Sequence, residues 1–418
     1  MVSDFLNLKN LVRRDYSAYY LKLNPFPTSA IPDESPPFTA DRDREKTHFK
    51  DMMSELINNE KSSVTVFVGL YGSGKSHLMR ALKHAVNTQL FNLNGDGTFS
   101  IYVRSPGRNF LDFCSELIED IKKEMLVHFA EKIISDYCKK YRDSIAKFIY
   151  DDKLKKEIDS IENDIPKLLE SSMVTDLFKS MAVKEFNQLK NIDVLFALLY
   201  TAHPTLSTYA WSWFMGSKLS RDEKELIMVR ASIDNPKTAY IVFEDLMRLF
   251  NSAGIKNIVL FVDELEKLTV LAANLRSIYQ DELRHLIDDF PHNLALFFSI
   301  TGYHWQELSK ENTGLVRRLE NNIFQLDFFT LAQVKELIAI YLTHARTDDF
   351  DNKTKKINEC DAELYPFTDE SIEEIYAETK GVCSNIIKIC RKCIDHITDR
   401  KKGEIVTSDL VQKLYPET

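Results

Sequence analysis

The sequence predicts an α/β fold, in which a mainly parallel sheet is covered by helices on both faces and is followed by an all-α domain. Three observations support this prediction. Residues 69–76 read GLYGSGKS and stand between an apolar run and a helical pattern. Residues 258–264 read IVLFVDE, a buried strand that ends in two carboxylates. Short apolar runs alternate with helical patterns up to about residue 330, after which the patterns are helical only.

Composition and charge restrict the class of protein. The 418 residues suffice for roughly two or three domains. No apolar run approaches the roughly 18 residues that a membrane span needs, and the N-terminus lacks the order of a secretory signal. Six scattered cysteines predict a reduced, cytoplasmic protein. The formal net charge of −9 argues against a surface that is basic throughout, although it allows a local basic patch.

Three domains are predicted along the chain. Residues 1–60 hold a helix over 1–23 with a basic end at Arg13 and Arg14, and a helix over 40–60. Between these helices, residues 24–38 carry five of the 12 prolines and predict an extended connector. Residues 61–330 form the α/β core, and residues 331–418 form a lid-like domain made of helices only.

The core is interrupted by a long helical insert. Strands are predicted at five apolar, β-branched runs, which are residues 64–68, 98–104, 257–262, 294–300 and 322–326. Residues 105–251 are predicted to be almost wholly helical, with breaks near Pro166 and Pro204. The Lys and Glu runs at 151–170 indicate a solvated helix face.

The first strong motif has both the letters and the context of a phosphate-binding loop. Glycines let backbone N–H groups turn toward a polyphosphate, and the start of the next helix adds the positive end of its dipole. Lys75 is placed to reach the β- and γ-phosphates, and the Ser76 hydroxyl to ligate Mg²⁺. A chance glycine turn is the alternative, which a chain with only 12 glycines disfavours. The predicted nucleotide-binding residues here are Gly69, Gly72, Ser73, Gly74, Lys75, Ser76 and His77.

The second strong motif is Asp263-Glu264 at the end of the third strand. Ligands of α/β sheets bind at the carboxyl ends of the strands. We therefore expect Asp263 to hold Mg²⁺ as the acidic partner of Ser76, and Glu264 to act as general base on the attacking water. An ordinary acidic turn is the alternative, and its pairing with the phosphate loop disfavours it. Because the sequence has no Asn-Lys-x-Asp element for reading guanine, ATP is favoured over GTP.

With these motifs the chain resembles the AAA+ ATPases, in particular their origin-recognition and transposition-regulator branch. The resemblance implies a polar sensor at the end of the fourth strand, either Thr301, which we favour, or Ser299. It also implies an arginine finger that reaches a neighbouring subunit, either Arg317 or Arg318, the latter slightly ahead; both arginines could instead be plain surface cations. The finger implies a homo-oligomer.

Two further comparisons with that family concern the nucleotide. Arg42 and Arg44 resemble the box before the first strand that borders the adenine, and either could instead be a surface cation. The lid departs from the family, because Ser384 stands where an arginine that touches the nucleotide is common. Lys388, one turn later, is a possible substitute. The departure implies slow hydrolysis.

A narrower resemblance precedes the acidic motif. Residues 211–216 read WSWFMG, and residues 243–257 read FEDLMRLFNSAGIKN. This stretch is similar to the ATP-binding proteins of BREX-type phage-defence loci, which also insert helices between the second and third strands. Trp211 and Trp213 could instead be simple core anchors.

Several classes of function remain open at this point. The first is an ATP-driven oligomer that acts on DNA and controls a partner protein of a multi-component system. The second is a nucleotide-gated switch that binds protein without DNA contact. A protein-unfolding ring is disfavoured, since residues 105–110 show no pore-loop pattern. The DNA reading depends on basic lid residues, for which a solvated helix face is the alternative; they are Lys388, Arg391, Lys392, Arg400, Lys401 and Lys402.

One cysteine cluster was weighed as a metal site. Cys383, Cys390, Cys393 and His396 could share one helix face, yet a second pair of ligands is not evident elsewhere in the sequence. Buried thiols on an apolar helix face are the simpler interpretation.

Overall fold

A computed structural model of the chain describes residues 14–28, 38–92, 97–141, 165–170, 174–311, 313–350, 355–358, 360–400 and 403–415. Its centre is a five-stranded sheet with the order β2-β3-β4-β1-β5. The strands are β1 (Ser63–Gly69), β2 (Gly97–Val103), β3 (Ile255–Val262), β4 (Leu294–Ile300) and β5 (Ile323–Leu326). All five strands predicted from the sequence are confirmed.

The pairs β2–β3, β3–β4 and β1–β4 are parallel. Val68 pairs with Ile300, and Val262 pairs with Phe298. The carboxyl ends of β1, β3 and β4 therefore meet at one edge of the sheet, and the residues after these ends are candidates for chemistry.

Alternation along the strands gives the sheet two apolar faces. On one face, stacked phenylalanines of β1, β3 and β4 pack against Phe49 of α1 (Asp43–Asn59), with ring centroids 5.3 Å apart for Phe49 and Phe297. On the other face, Leu260, Leu296 and their neighbours join a large core with the helices of the insert. Both faces are thus covered by helices, as predicted.

The described part of the insert between β2 and β3 is helical, as expected. It holds α3 (Phe110–Ile121), α4 (Lys123–Lys140), α5 (Ile165–Leu169), α6 (Val174–Lys184), α7 (Asp193–Thr201), α8 (Ser207–Phe214), α9 (Arg221–Leu226) and α10 (Pro236–Ser252). Helix α5 begins beside Pro166, and α7 and α8 are separated at His203 and Pro204. Most of the charged run at 151–170 lies outside the described residues, which resume at 165.

Two backbone N–H groups on the outer edge of strand β2 donate hydrogen bonds to side chains. Asn87 in α2 (Lys75–Gln89) accepts the N–H of Ser100, and Asp120 accepts the N–H of Tyr102. Lys83 in turn donates to Asp120 at 2.6 Å. An edge strand with unpaired N–H groups can pair with a strand of another molecule. Because the two side chains bond these N–H groups, they disfavour such pairing.

The remaining helices follow β3, β4 and β5. They are α11 (Ala273–Asp289), α12 (Gly302–Lys310), α13 (Gly314–Leu319), α14 (Leu331–Ala345), α15 (Asp369–Thr379), α16 (Cys383–Arg400) and α17 (Ser408–Leu414). Residues 331–418 are helical in their described part, as predicted, apart from a short antiparallel pair, β6 (Lys356–Ile357) and β7 (Cys360–Asp361). Two-residue strands are too short to leave an alternating pattern in the sequence.

The helix predicted over residues 1–23 is not found in its described part. Residues 14–23 contain a single 3-10 turn (Ser17–Tyr19), because their backbone bonds elsewhere. Lys22 donates to Ala345 O and Thr347 donates to Tyr20 O, so the segment pairs with the chain after α14. Residues 1–13, which include Arg13, lie outside the described part of the chain.

The connector predicted over residues 24–38 is partly a packed segment. Phe26 is fully buried and packs on Tyr341 and Phe367, with ring centroids 5.4 and 6.0 Å away. Burying such a ring contributes about 2 kcal/mol. Residues 29–37 lie outside the description.

Two compact units divide the chain. The loop–lid unit comprises Met1–Thr47, Gly69–Ala81 and Gln325–Thr418, and the sheet unit comprises His48–Val68 and Leu82–Phe324. Each has its own buried apolar cluster. All six cysteines are buried, and none of them forms a disulfide. Across the described residues, the search for helices long and apolar enough to span a membrane finds none.

Candidate active site

In the loop–lid unit, the phosphate loop has the backbone its sequence predicts. Gly72 and Gly74 have φ values of +80° and +91°, a region that residues with a Cβ rarely adopt. A Cβ added at Gly74 would meet no heavy atom within 4 Å among the described residues, so the backbone is open there. Helix α2 begins directly afterwards, at Lys75, with Ser76 in its first turn. Free N–H groups at a helix start suit an anion.

Lys75 is held by its own loop. Its ammonium donates to Gly69 O at 2.8 Å and to Leu70 O at 3.0 Å. Ser73 is buried, and its hydroxyl has no hydrogen-bond partner in the described chain. Two neutral carbonyls are weaker partners for an ammonium than a phosphate is. The donor set therefore fits a polyphosphate.

Arg42 braces the loop from the segment before α1. Its guanidinium donates to Ser73 O at 2.8 Å and Asp327 O at 2.9 Å, and lies 4.9 Å from the Phe329 ring centroid. Burial lowers its pKa from the ordinary arginine value. The carbonyl of Ser73 is thereby fixed from outside the loop.

His77 contacts the same N-terminal segment. One ring nitrogen lies 3.1 Å from Phe38 O, and burial lowers the pKa of the imidazole. A neutral ring that bonds a carbonyl has its N–H on that nitrogen. In this arrangement His77 holds residue 38 beside α2.

The lid segment with the unusual serine lies against the phosphate loop. A Cβ added at Gly72 would come within 2.6 Å of Ser384 Oγ and 2.7 Å of Val382 Cγ1. Gly381 has φ +75°, and a Cβ added to it would lie only 2.0 Å from the carbonyl oxygen of Phe329. Lys388 is exposed one turn later on α16. The position where the family resemblance implies an arginine thus lies against the loop itself, but offers it only a hydroxyl.

The basic residues of α16 differ in their surroundings. Arg391 donates to Phe26 O and lies 3.8 Å from Asp395, so the fold uses its charge. Lys388 is exposed and Lys392 is partly buried. The side chain of Arg400 and both Lys401 and Lys402 lie outside the described residues.

In the sheet unit, Asp263 follows β3 and is 4% exposed. Its carboxylate accepts three hydrogen bonds: Oδ2 from the Tyr102 hydroxyl at 2.5 Å, and Oδ1 from the Ser299 hydroxyl and from the Glu264 N–H at 3.0 Å. Hydroxyl and amide donors stabilise a carboxylate that is buried without a cation.

Glu264 has a left-handed backbone, with φ +54° and ψ +43°, and begins the 3-10 turn Leu265–Leu268. For a residue with a Cβ this costs on the order of 1 kcal/mol and is a frequent feature of functional sites. Its N–H is shared by Asp263 and Ser299, while its side chain is 44% exposed and lies 3.6 Å from Lys267. A carboxylate with a fixed backbone and access to water suits a general base.

The two sensor candidates have different partners. Ser299 bonds directly to Asp263 and Glu264. Thr301, the one favoured from the sequence, instead bonds to His304 Nδ1 at 2.6 Å. Both hydroxyls are buried on the same side of the strand end.

The two finger candidates on α13 also differ. Arg318 binds Asp288 of α11 with two parallel bonds, Nε to Oδ1 and Nη2 to Oδ2, and donates to Gly314 O at 2.8 Å. Arg317 is exposed. A bidentate ion pair fixes a guanidinium in place, so Arg318 holds α13 on α11.

The described residues contain no cluster of three or more His, Cys, Asp or Glu side chains that could hold a metal. The Asp263 carboxylate fits Mg²⁺, which is usually bound by one or two carboxylates together with substrate phosphates. The Cys383, Cys390 and Cys393 thiols are buried, and burial raises the pKa of each.

One residue of this site was not predicted. Tyr102 is the next-to-last residue of β2, where its ring is buried and its hydroxyl reaches Asp263. A phenol at the carboxyl end of a buried strand is the signal that could have identified it. Of the two tryptophans in the segment 211–216, Trp213 is a core anchor that donates to Ala231 O at 2.7 Å, and Trp211 packs on the same core.

Comparisons with solved structures define the fold. The Aeropyrum pernix ORC2 protein, solved in ADPNP–ADP complexes, has a TM-score of 0.50 at 10% identity, over 93% of this chain and 70% of that one. The A. pernix ORC1 protein in complex with DNA has 0.48 at 11%, over 93% and 68%. Drosophila ORC bound to DNA has 0.44 at 12%, over 99% and 69%. The ORC2 likeness shows the ORC-like AAA+ fold, as the sequence implied.

Comparisons of sequence identify the family. No curated protein matches the chain. The model of the BREX system ATP-binding protein BrxC/D matches residues 37–327, which is more than half of the chain and includes the phosphate loop, the insert and the acidic motif. The chain therefore belongs to the BREX system ATP-binding protein BrxC/D family.

Proposed function

We propose that this protein is a slow, cytoplasmic ATPase whose nucleotide state controls its assembly with copies of itself and its regulation of a partner of the defence system in DNA transactions. One observation carries the proposal. Glu264, half exposed and with its backbone held by Asp263 and Ser299, directly follows a buried carboxylate at the edge of the sheet. Family membership supplies ATP as the nucleotide.

The residues of the phosphate loop and of the acidic motif then have distinct roles. Lys75 exchanges its two loop carbonyls for phosphate oxygens, and the glycine N–H groups bind the rest of the polyphosphate. Ser76 and Asp263 are the Mg²⁺ ligands. When bound, Mg²⁺ neutralises charge on the phosphate oxygens. Glu264 accepts the proton of the attacking water.

We assign Arg317 as the arginine finger, which reaches the ATP bound by a neighbouring subunit. The sequence placed Arg318 slightly ahead. The bidentate bond of Arg318 to Asp288 favours the opposite assignment, since a finger must be able to leave its own subunit's surface. Arg318 then orients the helix that carries Arg317.

The residue at position 384 of the lid supports the proposal that ATP turnover is slow. Ser384 contacts the loop glycine Gly72 but carries no charge. An arginine at this position would add a cation near the phosphates in the transition state. With serine there, that stabilisation is missing, and Lys388 is the exposed cation nearest along the same helix face.

Particle size in the two nucleotide states tests the switch. We expect light scattering to show a larger mass with Mg²⁺ and a non-hydrolysable ATP analogue than with Mg²⁺-ADP, because a finger contributes only when the γ-phosphate is present. The Arg317→Ala variant should lose part of this difference. An equal mass in both states would contradict nucleotide-controlled assembly, while leaving ATP hydrolysis open.

A second candidate is a protein-binding switch without DNA contact. It is favoured by the engagement of Arg391 with Phe26 O and Asp395, which removes one cation from the proposed DNA surface, and by the net charge of −9. Lys388 is exposed, and Lys392 is partly buried.

A salt titration of filter binding to duplex DNA separates the two candidates. If the lid binds DNA, affinity measured at about 50 mM salt should fall steeply as salt rises, because each neutralised phosphate releases a counterion. The Lys388→Ala, Lys392→Ala double variant should then show a shallower slope. If no binding occurs at about 50 mM salt with or without the ATP analogue, the protein-binding switch is the function we retain.

A further inference from the structure

Tyr102 lies beside the acidic motif but has no role in the functions assigned so far. It pairs with Phe261 across β2 and β3, and its ring is 6% exposed. Its hydroxyl donates to Asp263 Oδ2 at 2.5 Å. A buried phenol this close to a buried carboxylate donates its only proton to it.

The other oxygen of Asp263 is already saturated. Oδ1 accepts from the Ser299 hydroxyl and from the Glu264 N–H. An ionised carboxylate has about four acceptor positions, roughly two on each oxygen. The three donors leave one position, and it is on Oδ2, the oxygen that Tyr102 holds.

The tyrosine itself is fixed. Its backbone N–H donates to Asp120 Oδ2 at 2.8 Å, and Lys83 donates to Asp120 Oδ1 at 2.6 Å. Both charged side chains are less than one-fifth exposed. The β2 backbone at Tyr102 is therefore tied to α2 and α3, and the hydroxyl has little freedom to follow Asp263 if that carboxylate rotates.

We propose that Tyr102 is a positioning residue for metal binding: it sets the rotation of the Asp263 carboxylate so that Oδ2 presents its one remaining lone pair to Mg²⁺. This inference rests on the proposed function, since it takes Asp263 as the Mg²⁺ ligand. Removal of the hydroxyl frees the carboxylate to rotate, so that it no longer presents Oδ2 in one direction. Partners of metal ligands commonly change metal affinity by about 10- to 100-fold when they are lost.

The test measures metal dependence separately from hydrolysis. A fluorescent, non-hydrolysable ATP analogue is titrated into the full chain in EDTA and then at rising Mg²⁺. For Tyr102→Phe we expect the affinity in EDTA to stay within about twofold of wild type, and the Mg²⁺ concentration for half-maximal effect to rise about tenfold. A partly unfolded sample lowers the binding amplitude but not the Mg²⁺ midpoint.

Tyr279→Phe is the matched control. Tyr279 is also a buried tyrosine of the sheet unit, and its hydroxyl donates to Pro106 O rather than to a carboxylate. We expect it to keep the wild-type Mg²⁺ midpoint, even where thermal unfolding shows that it has lost stability.

The outcomes are distinguishable. If wild type binds the analogue equally with and without Mg²⁺, the proposed metal role of Asp263 fails. If wild type depends on Mg²⁺ and Tyr102→Phe has the same midpoint, the positioning role of Tyr102 is wrong. An equal shift in both tyrosine variants would also overturn it, because the effect would then be a general result of losing a buried hydroxyl.

Discussion

Replacement of Arg317 by alanine is expected to lower kcat for ATP by about 10³-fold at protein concentrations where the assembly forms. Arg317 is exposed on α13, and its neighbour Arg318 fixes that helix to Asp288. A finger stabilises charge that develops on the transferred phosphoryl group, so its loss affects the chemical step more than ATP binding. Steady-state hydrolysis and analogue affinity, measured on one sample, separate the two effects.

Arg318→Ala is the natural control, because it removes the same charge from the adjacent position. It breaks the bidentate bond to Asp288 within one subunit, so we expect a lower midpoint of thermal unfolding. Hydrolysis should fall much less than in Arg317→Ala. The reverse ranking of the two variants would restore Arg318 as the finger.

Mixed assemblies test whether Arg317 acts across subunits. Glu264→Gln subunits keep their own Arg317, and Arg317→Ala subunits keep their own Glu264. At an interface between the two, one site regains both groups, so mixing two nearly inactive variants should recover a measurable share of wild-type hydrolysis. Absence of any recovery, with mixing demonstrated by mass, would contradict a finger supplied in trans.

The strands and the two motifs were predictable because their signals are local. A run such as VTVFV is buried on both faces of a parallel sheet, which leaves a continuous apolar stretch in the sequence. The phosphate loop requires glycine at Gly72 and Gly74, where φ is positive. Asp263 and Glu264 follow a strand end. Each feature is specified by residues within about ten positions of itself.

The features that were missed depend on residues far apart in the chain. Tyr102 and Asp263 are 161 positions apart, and their contact follows from the β2–β3 pairing across the whole insert. The segment 14–23 has residues that suit a helix. However, Arg346 donates a hydrogen bond to the carbonyl of Tyr19, and other backbone groups of the segment bond to Ala345 and Thr347. Tertiary hydrogen bonds override a weak local preference there.

The choice between paired candidates also required the structure. Adjacent arginines are equivalent in sequence, and only the partner of each separates Arg317 from Arg318. Ser299 and Thr301 share a face by alternation, yet only Ser299 reaches the acidic motif. Sequence therefore narrows such a site to pairs of residues, and side-chain contacts favour one member of each pair.

Glu264→Gln should reduce single-turnover ATP hydrolysis by about 10²- to 10⁴-fold, while ATP binding is retained. Glutamine has the same shape and keeps the backbone N–H that bonds Asp263 and Ser299, so the left-handed turn and the metal ligand are undisturbed. It cannot accept the proton of the attacking water. Because the γ-phosphate then persists, the ATP-bound assembly should accumulate, and light scattering with Mg²⁺-ATP should show the mass found with the non-hydrolysable analogue.

Glu60→Gln provides a control matched in chemistry and conformation. Glu60 is also a glutamate with positive φ, +53°, and it is exposed before β1, at the opposite end of the strand from the phosphate loop. Its replacement should leave hydrolysis within about twofold, since surface substitutions rarely cost more than about 0.5 kcal/mol. Wild-type hydrolysis by Glu264→Gln would refute Glu264 as the base. A matched loss in both variants would instead attribute the effect to the left-handed backbone, because that is the feature the two glutamates share.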